Sequence, residues 1–158
     1  MVILGIDPGI ADTGFGIITV SGQAYQAQEY GSIKTHPGDS LAQRLADLEK
    51  NLTALIKKYS PDTVAIEELF FAKNAKTAIT VAHARGVCLM TAHRAGCIVR
   101  EFKPTEVKQA LVGYGRADKN QIQQMVKMLL SLDSIPKPDD AADALAIAIT
   151  CAQTKHFS

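Results

Sequence analysis

Two acidic side chains end apolar segments of this sequence that have the composition of buried strands. Asp7 follows the apolar residues 2–6, and Glu67 follows the apolar residues 63–66. Burying an unpaired carboxylate costs several kcal/mol, so each acid needs a cation or local hydrogen bonds. For Asp7, which precedes Pro8-Gly9, a hydrogen-bonded turn is the simpler alternative to a metal ion or a phosphate-bearing ligand.

Three further aspartates precede the apolar residues 144–149 in a predicted helix; they are Asp139, Asp140 and Asp143. Acids in the first turn of a helix are common caps, and Asp139, which follows a proline, is the best candidate for the cap. Asp143 lies a full turn further along, and both other aspartates share a helix face with it. The spacing alone does not decide which two of the three would join the strand acids.

Four carboxylates around one spot would repel one another strongly unless cations neutralised them. Hard oxygen ligands of this kind suit Mg²⁺ or Mn²⁺. Two such ions roughly 4 Å apart can activate a water and stabilise the leaving oxygen in phosphodiester hydrolysis. The acids therefore favour a metal-dependent nuclease.

The elements that would position these acids follow the order βββαβαβααα, an α/β layered domain. Three short strands in succession predict an antiparallel meander, and a strand that returns after a helix predicts a parallel neighbour of the first strand by a right-handed crossover. That crossover would bring Asp7 and Glu67 to one sheet edge. Ser40 or Asp39 is expected to cap the first helix, Pro104 to begin the third and Asp118 to cap the fourth. We expect one domain over residues 1–158.

Charge is distributed unevenly along a chain whose net charge is +1. Residues 71–127 hold ten Lys and Arg against three acids, a local charge of +7, and the remainder carries −6. This asymmetry predicts a polyanion-binding face beside an acidic cluster, with a solvated helix surface as the alternative. The apolar runs are too short for a membrane span and show no secretory signal, which indicates a cytoplasmic protein. The three cysteines lack zinc-ligand spacing.

Several motifs in register resemble the RuvC family of Holliday junction resolvases, over nearly the whole chain. The motifs are Gly5-Ile6-Asp7-Pro8-Gly9 with Thr13-Gly14, Ala65-Ile66-Glu67 followed by Phe70, Ala72-Lys73-Asn74, Ala84-Arg85-Gly86-Val87, Val107-Lys108-Gln109, Gly113-Tyr114-Gly115 and Asp140-Ala141-Ala142-Asp143-Ala144-Leu145-Ala146. The resemblance implies an RNase H-like fold, with a mixed five-stranded sheet flanked by helices. It also implies a homodimer that makes symmetric paired nicks in four-way junction DNA during recombination and repair, with a preference for thymine-containing sites.

The resemblance further implies two Mg²⁺ ions per active site, for which Mn²⁺ can substitute, and partnership with the branch-migration proteins RuvA and RuvB. The family's four metal-binding, catalytic acids fall on Asp7, Glu67, Asp140 and Asp143, and its two catalytic lysines fall on Lys108 and Lys119. Its base-unstacking aromatic falls on Phe70, for which a core position is the alternative. Further expected DNA contacts are Lys73, Asn74, Lys76, Arg85, Tyr114 and Arg116. Glu68 is not part of the pattern, and the Ala-rich helix near residues 74–95 is the expected dimer contact.

Three other functions are compatible with parts of this pattern. A ribonuclease on the same fold would use the same four acids, and a non-catalytic junction-binding protein would keep them for structure. The Gly5-x-Asp7-x-Gly9 strand also resembles the phosphate-binding strand of actin-like ATPases and sugar kinases, which need two such domains. At 158 residues the chain is too short for two.

Overall fold

A computed structural model describes residues 1–69 and 75–154, and within these ranges five strands and five helices follow the predicted order. The strands are β1 (Val2–Asp7), β2 (Asp12–Ser21), β3 (Ala24–Lys34), β4 (Thr63–Glu67) and β5 (Ile98–Phe102). The helices are α1 (Leu41–Tyr59), α2 (Ala75–Arg94), α3 (Pro104–Val112), α4 (Lys119–Leu129) and α5 (Asp139–Thr154). None of the helices in these ranges has the length and apolarity needed to cross a bilayer.

The strands form one mixed sheet in the order β3-β2-β1-β4-β5. β1, β2 and β3 pair antiparallel, as the meander predicted. β4 lies parallel to β1, with Ile6 opposite Ile66, and β5 lies parallel to β4. The predicted parallel pairing of β1 and β4 is thus confirmed, and these two strands end side by side.

Alternate residues of the strands face two separate apolar cores. Ile3, Ile18 and Ala65 pack in one core with apolar residues of α3, α4 and α5. Leu4 and Ile66 pack in the other core with residues of α1 and α2. Because side chains alternate along a strand, Asp7 and Glu67 share the strand face of Ile3 and Ala65, which is the face covered by α5.

Three predicted helix starts are confirmed. The Ser40 hydroxyl accepts a hydrogen bond from the backbone N–H of Gln43 at 3.2 Å, and Pro104 is the first residue of α3. The Asp118 carboxylate accepts from the backbone N–H of Gln121 at 2.8 Å, which places Lys119 at the first position of α4. The Ser40 and Asp118 side chains satisfy amide donors that have no partner within the helix.

The prediction that Asp139 caps the last helix is wrong. Asp139 is the first residue inside α5, and the backbone oxygen of Pro138 accepts from the N–H groups of Ala141 and Ala142. The carboxylate of Asp139 instead lies beside the side chains of Lys119 and Lys137. Local spacing could not reveal the contact with Lys119, because Lys119 comes from the start of α4.

Candidate active site

The carboxyl ends of β1 and β4 bring Asp7 and Glu67 to the same edge of the sheet. Asp7 is the last residue of β1 and pairs with Gly14 of the neighbouring strand β2. Glu67 is the last residue of the parallel neighbour β4. Both side chains are partly buried, and their position at one edge agrees with the predicted crossover.

Helix α5 packs closely on β1 and β2 because the strand residues that face its backbone include glycines, which have no side chain. A Cβ atom on Gly14 would lie 2.1 Å from the backbone oxygen of Asp140, and one on Gly5 would lie 2.0 Å from that of Ala144. Both distances are far shorter than a van der Waals contact. Only glycine therefore allows the helix backbone to lie directly on β1 and β2.

This close contact brings three aspartates together. Asp7, Asp140 and Asp143 can each present one carboxylate oxygen so that all three oxygens lie within 4.8 Å of one another. The three residues are partly buried. Oxygen donors at this spacing fit a hard divalent cation. The prediction that the acid at the end of β1 lies beside two aspartates of the last helix is confirmed.

Burial and mutual repulsion make the acids difficult to ionise. Burial, followed by the charges of Glu67, Asp143 and Asp140, raises the pKa of Asp7 from 3.8 to about 8. Burial first, and the charge of Asp143 second, raises the pKa of Glu67. Burial also raises the pKa values of Asp140 and Asp143. Such a set favours any cation that neutralises it.

A cavity of about 350 Å³ opens beside the acids and brings both predicted lysines to them. Glu67 and Asp143 line it together with Lys108 of α3 and Lys119 of α4. Lys119 Nζ lies 3.7 Å from Asp143 Oδ2. The positive charge of Lys108 lowers the pKa of Glu67, opposing the effect of burial. The two lysines thus supply positive charge on the side of the cluster formed by α3 and α4.

Arg85, predicted as a DNA contact, makes contacts within the protein. Its Nε donates to the backbone oxygen of Glu67 at 3.0 Å, and its Nη2 lies 2.5 Å from Glu101 Oε2. These bonds hold the end of β4 against α2 and β5. The local sequence gave no indication of them, since Glu67 and Glu101 are far from Arg85 in the chain.

The other predicted DNA contacts are exposed residues or lie outside the described ranges. Lys76 and Arg116 are exposed, and so is Tyr114, whose hydroxyl accepts a hydrogen bond from Gln121. Phe70, Lys73 and Asn74 fall in residues 70–74, outside the described ranges. A role in DNA binding therefore stays a prediction for all six, as it does for Arg85.

Two polar residues near the site were assigned no role from the sequence. Thr13, which is buried, donates its hydroxyl to the backbone oxygen of Gly9 at 2.6 Å and so ties down the loop after Asp7. Gln123, which is 8% exposed, donates to Asp139 Oδ1 at 3.4 Å. The position of Gln123 within the apolar pattern of α4, one turn after Lys119, was the available signal.

Comparisons with known proteins agree with this arrangement. A family model for the crossover junction endodeoxyribonuclease RuvC matches residues 3–151. The crossover junction endodeoxyribonuclease RuvC of Heliobacterium modesticaldum is 56% identical over 154 residues, which cover 98% of this chain and 95% of the relative.

Solved structures give the same result for the fold. Thermus thermophilus RuvC in complex with Holliday junction substrate is similar with a TM-score of 0.94 and 35% identity, over 99% of this chain and 96% of that one. The yeast mitochondrial Holliday junction resolvase Ydc2 shares the fold with a TM-score of 0.69 and 18% identity, over 98% and 82% of the two chains. These matches confirm the predicted RNase H-like α/β fold. The chain belongs to the RuvC family of crossover junction endodeoxyribonucleases.

Proposed function

We propose that this chain is a structure-specific endodeoxyribonuclease that resolves Holliday junctions by symmetric paired nicks, in recombination and repair within the cytoplasm. The observation that carries the proposal is the convergence of three carboxylate oxygens within 4.8 Å beside a cavity lined by lysines. Family membership supports the choice of junction DNA, because the similar Thermus RuvC is in complex with a Holliday junction substrate. RuvA and RuvB are the proposed protein partners.

We propose Asp7, Glu67, Asp140 and Asp143 as the ligands of two Mg²⁺ ions, with Mn²⁺ as a substitute. These carboxylates suit divalent metal ions. Their raised pKa values indicate that the ionised cluster is unfavourable unless a positive charge lies close to it. When bound, such ions supply an activated water and neutralise the charge that develops on the leaving oxygen.

The lysines and Arg85 have separate tasks in this proposal. Lys108 and Lys119 stabilise the extra negative charge on the phosphate that is being cleaved, because both ammonium groups line the cavity beside Glu67 and Asp143. Arg85 holds the backbone of Glu67 and so keeps that carboxylate at the end of β4. The basic segment contributes phosphate contacts through Lys73, Asn74, Lys76, Tyr114 and Arg116, and Phe70 stacks on an unpaired base.

The proposed homodimer uses the outer face of α2. Four exposed residues recur there at helical spacing; they are Ile79, Ala82, Gly86 and Met90. Ile79 is 57% exposed and Met90 is 38% exposed, and a Cβ on Gly86 would meet no atom within 4 Å. Glycine inside a helix costs about 1 kcal/mol relative to alanine, so its presence on this face fits the close approach of a second helix. Two active sites in one dimer would then produce paired nicks.

The dimer proposal is tested by sedimentation at micromolar concentration. We expect a dimer for the wild type and a monomer for Met90→Glu, because the substitution places a charge in the apolar contact. Lys50→Glu, at an exposed position of α1 outside this face, should stay dimeric. A wild-type monomer would contradict the proposed contact.

The function is tested by cleavage of a synthetic mobile four-way junction, a linear duplex and an RNA–DNA hybrid, each with Mg²⁺ and with EDTA. We expect symmetric nicks only in the junction, and only when Mg²⁺ is present. Asp7→Asn should bind the junction without cutting it. Hybrid cleavage without junction preference would indicate a ribonuclease. Tight junction binding without cutting by the wild type would indicate a scaffold protein.

A further inference from the structure

Helices α4 and α5 face each other through two pairs of polar side chains, each one turn apart. Lys119 and Gln123 lie on α4, and Asp139 and Asp143 lie on α5. Lys119 Nζ lies 3.3 Å from Asp139 Oδ2 and 3.7 Å from Asp143 Oδ2. The ammonium group is therefore held between two carboxylates, of which Asp139 is the nearer.

The Asp139 carboxylate is itself oriented by other donors. Its Oδ1 accepts from Gln123 Nε2 at 3.4 Å and lies 3.5 Å from Lys137 Nζ. Gln123 is nearly buried, so its amide has few alternative positions. With Oδ1 engaged by these two donors, Oδ2 is directed towards Lys119.

The two carboxylates beside Lys119 differ in their relation to the acidic cluster. Asp143 belongs to the trio of carboxylates that can present oxygens to one metal ion, and Asp139 lies outside that trio. A ligand carboxylate that shares its oxygens with a cation attracts a neighbouring ammonium less strongly. Asp139 is then the anion that remains to hold Lys119 in place.

We propose that Asp139 is a positioning residue for DNA cleavage, which acts by holding the Lys119 ammonium beside the acidic cluster. This inference rests on the proposed nuclease function and on the role proposed there for Lys119. A lysine side chain has four flexible methylene groups, and it stabilises a reacting phosphate only when its charge is already in place. Asp139 side-chain exposure is 52%, so its ion pair contributes little to folding, and its effect on catalysis can be measured separately.

The test is a double-mutant cycle in the single-turnover cleavage of a four-way junction in Mg²⁺, with enzyme in excess. Time courses of several hours quantify rates far below that of the wild type. We expect Asp139→Asn to lower the rate about tenfold, since misplacement of a catalytic group by about 1 Å can cost up to about a hundredfold. Junction affinity measured in EDTA should stay within about twofold of the wild type, because the change acts on Lys119 and on no DNA contact.

The decisive comparison is made in the Lys119→Ala background. If Asp139 acts through Lys119, Asp139→Asn has no further effect once Lys119 is absent. Asp139→Glu, which keeps the charge, should cleave faster than Asp139→Asn. Asp133→Asn, which removes the same charge from the segment between α4 and α5, is the matched control and should cleave at the wild-type rate.

Two results would overturn the inference while leaving the nuclease function intact. One is an Asp139→Asn variant that cleaves at the wild-type rate. The other is a double variant whose loss equals the product of the two single losses, which would show that the two residues act independently. Failure of the wild type to cleave the junction would instead contradict the proposed function itself.

Discussion

The cost of ionising Asp7 gives a quantitative prediction about the protein without metal. The pKa of this carboxyl is raised to about 8, mainly by burial and then by the charges of Glu67, Asp143 and Asp140. Asp7 therefore binds its proton more tightly in the folded chain than in the unfolded chain. The folded state is favoured while that proton is retained, and the stability contribution is lost as the pH rises through the folded pKa.

The size of the effect follows from the two pKa values. Each pKa unit corresponds to about 1.4 kcal/mol. Relative to a neutral side chain of the same shape, the ionisable Asp7 lowers the free energy of unfolding by up to about 4 kcal/mol at pH 7 and about 6 kcal/mol above pH 8. Below about pH 3, where the carboxyl is protonated in both states, the difference disappears.

The measurement is urea unfolding in EDTA, for the wild type and Asp7→Asn, from pH 4 to pH 9. We expect the variant to be the more stable protein, by a margin that grows with pH up to about pH 8. Mg²⁺ should then stabilise the wild type more than the variant, because it binds the folded acids. Asp133→Asn, which removes a charge outside the site, should follow the wild-type pH dependence. A constant difference between Asp7→Asn and the wild type over this range would refute the reasoning.

Three other substitutions test how the site is held in place. Gly14→Ala should lower the free energy of unfolding by about 1–3 kcal/mol or more and reduce cleavage, because its Cβ would overlap the backbone of Asp140. The measurement is urea unfolding, and the control is Gly115→Ala, whose Cβ meets nothing closer than 3.9 Å. Arg85→Ala should slow single-turnover cleavage more than it weakens junction binding, because the Arg85 side chain bonds the Glu67 backbone. A large loss of junction affinity, with a changed salt dependence of binding, would show instead that Arg85 binds phosphate. Ser40→Ala should cost about 1 kcal/mol in urea unfolding through loss of the α1 cap and leave cleavage unchanged, and a loss of cleavage would contradict this separation.

Most of the fold could be predicted because its signals are local. Apolar runs that end at Asp7 and Glu67 marked the two parallel strands, and turn residues marked the meander. Asp118 was recognisable as a cap because the amide it binds lies three residues away. The βαβ connection requires the two strand ends to meet at one edge, which is enough to bring two of the acids together.

The remaining features depend on contacts between distant segments. Asp139 was predicted as a cap, and it lies instead beside Lys119 at the start of α4. Spacing left Asp139 and Asp140 as equal candidates for the acid that joins Asp7, and the position of α5 on the sheet brings Asp140 to it. Gly5 and Gly14 were the sequence signal for the contact of α5 with β1 and β2. A glycine indicates that a position lacks space for a side chain, but it does not identify the element that occupies that space.

The glycines beneath α5 also limit how the active site tolerates change. A contact between two backbones contains no side-chain torsion that could absorb a displacement, so α5 cannot tilt or slide to compensate for a longer carboxylate. Asp143→Glu lengthens the side chain by one bond, about 1.5 Å, and its oxygens would have to approach the cluster from a different side-chain conformation. At most sites an aspartate-to-glutamate exchange counts as conservative, but on this helix the two residues are geometrically distinct ligands.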